Sequence, residues 1–118
     1  MPTGKKADEE AIRLSAIDED VLTVLLGREL YPLDILNDLN PGRGIPLRLK
    51  SLYPALNRLE KKGLIAWRWG DETEATGGAR RKYYKVTGLG SNILSDVQAY
   101  RVMLQQRALA GQIALGGT

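Results

Sequence analysis

SLYPALNRLEKKGLI, Ser51 to Ile65, is the stretch whose reading decides the fold. Leu52, Ala55, Leu56 and Leu59 recur at helical spacing and put one apolar face inward. Lys61, Lys62 and Gly63 form a favourable helix end: cations at the negative pole, then a residue that tolerates a left-handed turn. Pro54 is the anomaly. With Ser51 as N-cap, Leu52, Tyr53 and Pro54 become the first three helical residues, where a missing backbone N–H costs little. The face opposite the apolar one then carries Lys50, Tyr53, Asn57 and Lys61, with Arg58 beside it and Ser51 at the leading edge. Cations, an amide and an aromatic hydroxyl are the groups that contact phosphates and base edges. The alternative is an amphipathic surface helix whose outer face is merely solvated.

Working outward, two further helical patterns precede this one. SAIDEDVLTVLLGREL offers Ser15 or Asp18 as a cap, followed by an apolar stripe of Val21, Leu22, Leu25 and Leu26. YPLDILNDLNPGRG places Pro32 at a first helical position, repeats Leu33, Leu36 and Leu39, and stops at Asn40-Pro41-Gly42. After the opening stretch, LIAWRW alternates as a strand, with Ile65, Trp67 and Trp69 on one face. RRKYYKV returns as its hairpin partner. Arg80, Arg81, Lys82 and Lys85 flank Tyr83 and Tyr84 there, as on the basic wing of a DNA binder. The intervening turn holds Asp71, Glu72 and Glu74. These are expected to be solvated and to point away from phosphate. Trp67 and Trp69 are expected to pack the hairpin onto the helices.

The last periodic segment, SNILSDVQAYRVMLQQRALA, has Ile93, Val97, Tyr100 and Leu104 at 4-3-4 spacing, a coiled-coil-like seam. The expected domain plan is an arm at 1–14, a winged-helix unit at 15–88, a dimerisation helix at 89–110 and a frayed tail at 111–118. The fold class is mainly α with a small β-hairpin, a winged helix-turn-helix in which the third helix enters the major groove and the hairpin lies on the backbone.

Bulk composition narrows the functions. The 118 residues contain neither His nor Cys. That removes the common zinc sites and the Ser-His and Cys-His nucleophile systems, so no metal, cofactor or enzymatic activity is expected. A hydrophobic fraction of 43% suits one globular domain. No apolar run approaches the roughly 20 residues that span a bilayer, and the N-terminus lacks a signal-peptide core, so a cytoplasmic location is the default. Charge is divided unevenly. Residues 1–40 hold 4 Lys/Arg against 9 Asp/Glu, a balance of −5, and residues 41–118 hold 13 against 5, a balance of +8. An acidic front and a basic back suggest one face meant for a polyanion.

SLYPALNRLEKKGLI and GGARRKYYKVTGLG resemble the two most recognisable stretches of the PadR family of transcriptional regulators. LTVLLGRELYPLDILNDL is similar to the family's preceding helix pair more loosely, with Pro32-Leu33 where Gly-Tyr is common. The resemblance covers about Asp20 to Tyr100. It implies a homodimeric winged helix on double-stranded operator DNA, usually a repressor, with Ser51, Tyr53 and Asn57 on the recognition helix and Arg80, Arg81 and Lys82 on the wing. It also implies that the C-terminal helix dimerises, which fits the seam at Ile93, Val97, Tyr100 and Leu104. The rival expectation is a protein-interaction module on the same scaffold, for example a clock-associated or other regulatory protein with weak or no DNA binding. The sequence names no effector.

Overall fold

A computed structural model describes residues 12–71 and 80–116. Their order is α1 (Ala16–Leu25), α2 (Pro32–Leu39), α3 (Leu49–Lys61), β1 (Ile65–Trp69), β2 (Lys82–Val86) and α4 (Gly88–Gly116). This is the expected mainly α fold with one hairpin.

Ser15 caps α1. Its hydroxyl accepts from the Asp18 N–H at 3.1 Å, and its own N–H donates to the Asp18 carboxylate at 3.2 Å, a reciprocal capping box. The second carboxylate oxygen of Asp18 accepts from Arg58 on α3 at 2.9 Å. Asp18 is therefore both a local cap and a tie between two helices, and only 2% of it is exposed. α2 opens with Pro32 at its first position, where the ring's fixed φ suits the helix. Beyond α2 the Asn40 side chain brackets Leu47, accepting from its N–H at 2.8 Å and donating to its carbonyl at 3.0 Å. That clamp shapes the basic connection into α3.

The start of α3 corrects the sequence-based expectation. The helix begins at Leu49, not after Ser51, and Arg48 is its N-cap with no side-chain bond. Pro54 is thus the sixth helical residue and lies inside the helix. Leu49 supplies the reason, because it packs against the core and draws the preceding turn into the helix. The first turn tightens to fit: the Ser51 and Leu52 N–H groups both donate to the Arg48 carbonyl at 2.9 Å. Pro54 still removes the donor that would meet the Lys50 carbonyl, but Lys50 is exposed, so water can serve there. The helix ends as its sequence demands. Gly63 has φ +76°, the Leu64 N–H reaches the Leu59 carbonyl at 2.9 Å, and the Gly63 N–H reaches Glu60 at 2.9 Å. These are the two bonds of a Schellman motif.

β1 and β2 pair antiparallel, with Ile65 opposite Val86 and Trp69 opposite Lys82. Leu30, between α1 and α2, adds a short third rung. It exchanges two backbone bonds with Tyr84, at 3.1 and 2.8 Å. The hairpin is thereby fixed to the α1–α2 turn.

The core gathers Val21, Leu22, Leu25, Ile35, Leu52, Leu56, Leu59, Leu64, Ile65, Tyr84 and Leu94. Burial pushes the Tyr84 phenol above its ordinary pKa. Two apolar residues expected in the core are outside it. Leu26 caps the end of α1 and is 42% exposed, and Leu33 is 50% exposed, its place on α2 being taken by Ile35. Both follow from phase, because the true stripes are Val21-Leu22-Leu25 and Ile35-Leu36-Leu39.

α4 joins at the hairpin base. The Thr87 hydroxyl donates to the Gly63 carbonyl at 2.7 Å and accepts from the Gly90 N–H at 3.0 Å. The helix then continues to Gly116, beyond the Ala110 end read from sequence. Ala, Leu, Gln and Ile carry it through Gly111, whose cost of about 1 kcal/mol is local. The expected arm lies mostly outside the described residues, as do Glu72 and Glu74 of the acidic turn. Among the described residues no helix is long and apolar enough to cross a membrane, and no cluster of acids could hold a metal ion.

Candidate nucleic-acid interface

The unequal halves of the sequence meet as ion pairs. Asp18 pairs with Arg58 at 2.9 Å, Asp20 with Arg43 at 2.9 Å, Glu29 with Arg68 at 3.0 Å and Glu19 with Arg101 at 2.8 Å. Asp38 pairs with Arg28. Among the described residues, four acids of the front half are thus counter-charges for arginines of the back half. Arg48, Lys50 and Lys61 are exposed cations with no ion pair among the described residues. They lie on α3 or at its cap, and Arg80, Lys82 and Lys85 of the hairpin likewise have no ion pair among the described residues.

A cleft of about 470 Å³ separates α3 from the hairpin. Tyr53 and Asn57 line it from α3, and Arg80, Arg81, Lys82 and Trp69 from the hairpin. Five of the residues singled out from sequence therefore converge on one concavity. Tyr53 is 45% exposed there, although the helix begins a turn earlier than expected. Helical phase, not distance from the cap, determines which way it faces.

Three of the four wing cations, Arg80, Arg81 and Lys82, stand over rings. The Arg81 guanidinium is 4.4 Å from the Tyr31 centroid, and Arg80 is 5.5 Å from Trp69. The Lys82 ammonium is 4.0 Å from Trp67 and 5.7 Å from Trp69. The tryptophans meet edge to face at 5.3 Å. Trp67 does pack the hairpin onto the helices, and its indole N–H donates to Glu60 at 2.9 Å. Trp69 does less of this. It is 45% exposed and forms part of the cleft wall.

Other predicted residues lie elsewhere. Lys50 and Ser51 occupy the first turn of α3, and Lys61 its last, roughly 16 Å from Lys50 at 1.5 Å rise per residue. Arg58 points to Asp18 and keeps 47% of its side chain exposed. Lys85 falls on the other face of the hairpin, by strand alternation, beside Glu29 and Arg28. On that face Arg68 grips Glu29 through two bonds of 3.0 Å. The Arg68 hydrogen bond and charge hold the Glu29 carboxyl below its ordinary pKa. Of the seam, Ile93 packs against its own core and Val97 is half-buried, while Tyr100 and Leu104 are 56% and 42% exposed.

Tyr31 and Trp69 also line the cleft, and the exposed Arg48 caps α3; the sequence reading assigned none of the three to the interface. Tyr31 gave a faint signal, since an aromatic directly before a helix-opening proline has its backbone fixed by its neighbour.

Residues 21–96 match the transcriptional regulator PadR-like family. An uncharacterised protein of Lysinibacillus sphaericus is 31% identical over 83 residues, 69% of this chain and 73% of that protein. Among solved structures, a PadR-like transcription factor from Bacteroides fragilis is 25% identical with a TM-score of 0.70, covering 92% of this chain and 95% of that one. A PadR family transcription regulator from Clostridium difficile R20291 is 27% identical with a TM-score of 0.67, covering 80% and 97%. With the winged-helix fold, the basic wing and these relatives in agreement, the chain belongs to the PadR-like family of DNA-binding transcriptional regulators.

Proposed function

We propose that the protein is a cytoplasmic homodimeric repressor, not an enzyme, that binds a near-palindromic operator. α3 enters the major groove and the hairpin lies along the adjoining backbone. The observation that carries this reading is the convergence of Tyr53 and Asn57 with Arg80, Arg81 and Lys82 on one cleft. Lysine and arginine supply affinity by displacing counterions from phosphates, and the exposed edge of α3 supplies base readout.

Selection of bound sequences from a random DNA pool tests this directly. Two half-sites related by a two-fold axis, about one helical turn apart or a multiple of it, are expected. No enrichment, together with no shift at low salt, would favour a protein-interaction role for the scaffold. With the selected operator, Tyr53→Ala should reduce the preference over random DNA by about tenfold, the scale of one lost specific contact. Arg81→Ala should weaken operator and random DNA alike and reduce the salt slope by about two, one phosphate contact being lost from each protomer. A change in specificity alone for Arg81→Ala would reverse the two assignments.

Dimerisation is supported by α4. From Gln98 to Gly116 every residue of it is exposed, including Tyr100, Leu104, Leu109 and Ile113. An apolar helix surface of this extent needs a cover. Leu104→Glu should convert the dimer to monomer in sedimentation at micromolar concentration and lower operator affinity by at least about tenfold, because each half-site would then bind alone. An unchanged sedimentation profile would remove Leu104 from the interface.

A further inference from the structure

We infer that Tyr31 and Trp69 are positioning residues for DNA: each seats a wing cation on its ring so that the cleft between α3 and the hairpin receives one sugar–phosphate strand. This rests on the DNA-binding function proposed above and assigns two residues to it.

Tyr31 is held from several sides. Leu30, its neighbour, is bound to Tyr84 by two backbone bonds, and the Tyr31 carbonyl accepts from the Ile35 N–H at 3.1 Å. Its ring meets Tyr83 edge to face at 5.8 Å. Arg68 stands 5.2 Å from the Tyr83 centroid and is itself gripped by Glu29. The Tyr31 ring is therefore a fixed platform. Arg81, one residue before β2, has its guanidinium 4.4 Å from that platform. Trp69 plays the same part for Arg80, with its ring braced by Trp67, on which Lys82 stands at 4.0 Å.

The benefit is entropic. An arginine or lysine loses rotamer freedom when ordered, and a seated cation has lost part of it before DNA arrives. A guanidinium that rests on a ring by its flat face has its edge, the side that binds phosphate oxygens, turned along the plane of that ring. The seating also indicates the guest. Because the cations stand over the rings, an entering group meets positive charge beside the aromatic wall. Three such cations along one wall suit the repeated charge of a nucleic-acid backbone.

The test compares Tyr31→Leu, Tyr31→Phe, Trp69→Leu and Trp69→Phe in full-length protein, titrated against operator and random DNA at several salt concentrations. Both Leu variants should weaken the two DNAs equally, by about two- to fivefold, the scale of an exposed cation–ring contact. Both Phe variants should bind as the wild type does. A readout without DNA accompanies this. The Arg81 side-chain protons should show an upfield ring-current shift by NMR that persists in Tyr31→Phe and disappears in Tyr31→Leu. Wild-type affinity in both Leu variants would overturn the inference while leaving DNA binding intact, and so would Phe variants as weak as the Leu ones. Failure of the wild type to bind any DNA would instead overturn the proposed function, and this inference with it.

Discussion

Gly90→Ala should lower the melting temperature by about 10 °C or more, although alanine is the better helix former. Gly90 sits in the first turn of α4, where the helix crosses the hairpin base. A Cβ there would stand 2.1 Å from the Leu64 carbonyl oxygen, 3.0 Å from its carbon and 2.9 Å from a Val86 methyl. The first two are backbone atoms and cannot turn aside. The Leu64 carbonyl is also held by the Thr87 N–H at 3.0 Å. Propensity would favour alanine by about 1 kcal/mol, but forced repacking costs about 1–3 kcal/mol in flexible cores and more against fixed backbone. The net loss should be at least about 2–3 kcal/mol, which at roughly 4 °C per kcal/mol for a domain of this size gives the stated shift. Gly111→Ala is the control. It meets nothing within 4 Å and should raise helix stability by up to about 1 kcal/mol. Thermal denaturation followed by circular dichroism compares the two. Equal melting temperatures for Gly90→Ala and the wild type would mean that α4 does not approach Leu64 as described.

Asp18→Ala should cost about 2–3 kcal/mol, because one carboxylate serves two helices. It completes the α1 capping box with Ser15, and loss of a cap alone typically costs about 1 kcal/mol. It also meets Arg58 on α3 from a buried position. Breaking a fully buried pair costs about 3–5 kcal/mol, but Arg58 is half exposed and recovers water, so the lower figure applies. Asp18→Asn keeps the shape and a carbonyl acceptor and should lose about half as much. A double-mutant cycle with Arg58→Ala, read by urea denaturation, isolates the pair. Strict additivity would mean that the two helices are tied by packing alone. Arg58→Ala also separates stability from recognition. If Arg58 acts through Asp18, its loss should change the unfolding midpoint more than the operator preference.

The elements were largely legible because each carries its own chemistry. Ser15 and Asp18 cap, Pro32 opens, Lys62-Gly63 closes and β1 alternates. These are local signals, and the structure follows them. The start of α3 was not legible in the same way. Ser51 and Pro54 spoke for a late start, whereas Leu49 joins the helix because it packs against a core assembled from distant residues. The same distinction runs through the site. Tyr53 and Asn57 share a helix face, so their common outlook could be read from periodicity. That Tyr31 would seat Arg81, 50 positions away, depends on the Leu30–Tyr84 bridge, which no local pattern announces. The charge split was visible, but its meaning was not. Only the fold shows that, among the described residues, Asp18, Glu19, Asp20 and Glu29 of the front half neutralise arginines from the back half, while cations of α3 and the hairpin stay without ion pairs.

The central claim is that the α3–hairpin cleft binds DNA through its cations, and the salt dependence of operator affinity tests it most directly. About three phosphate contacts per protomer, six per dimer, give a slope of log affinity against log salt near −5 at about 0.9 per contact. Fluorescence anisotropy on a labelled operator between 50 and 200 mM salt measures it. A slope near −5 that becomes shallower when Arg80, Arg81 and Lys82 are replaced by alanine is the predicted result. A flat response, or no binding at 50 mM, would contradict it.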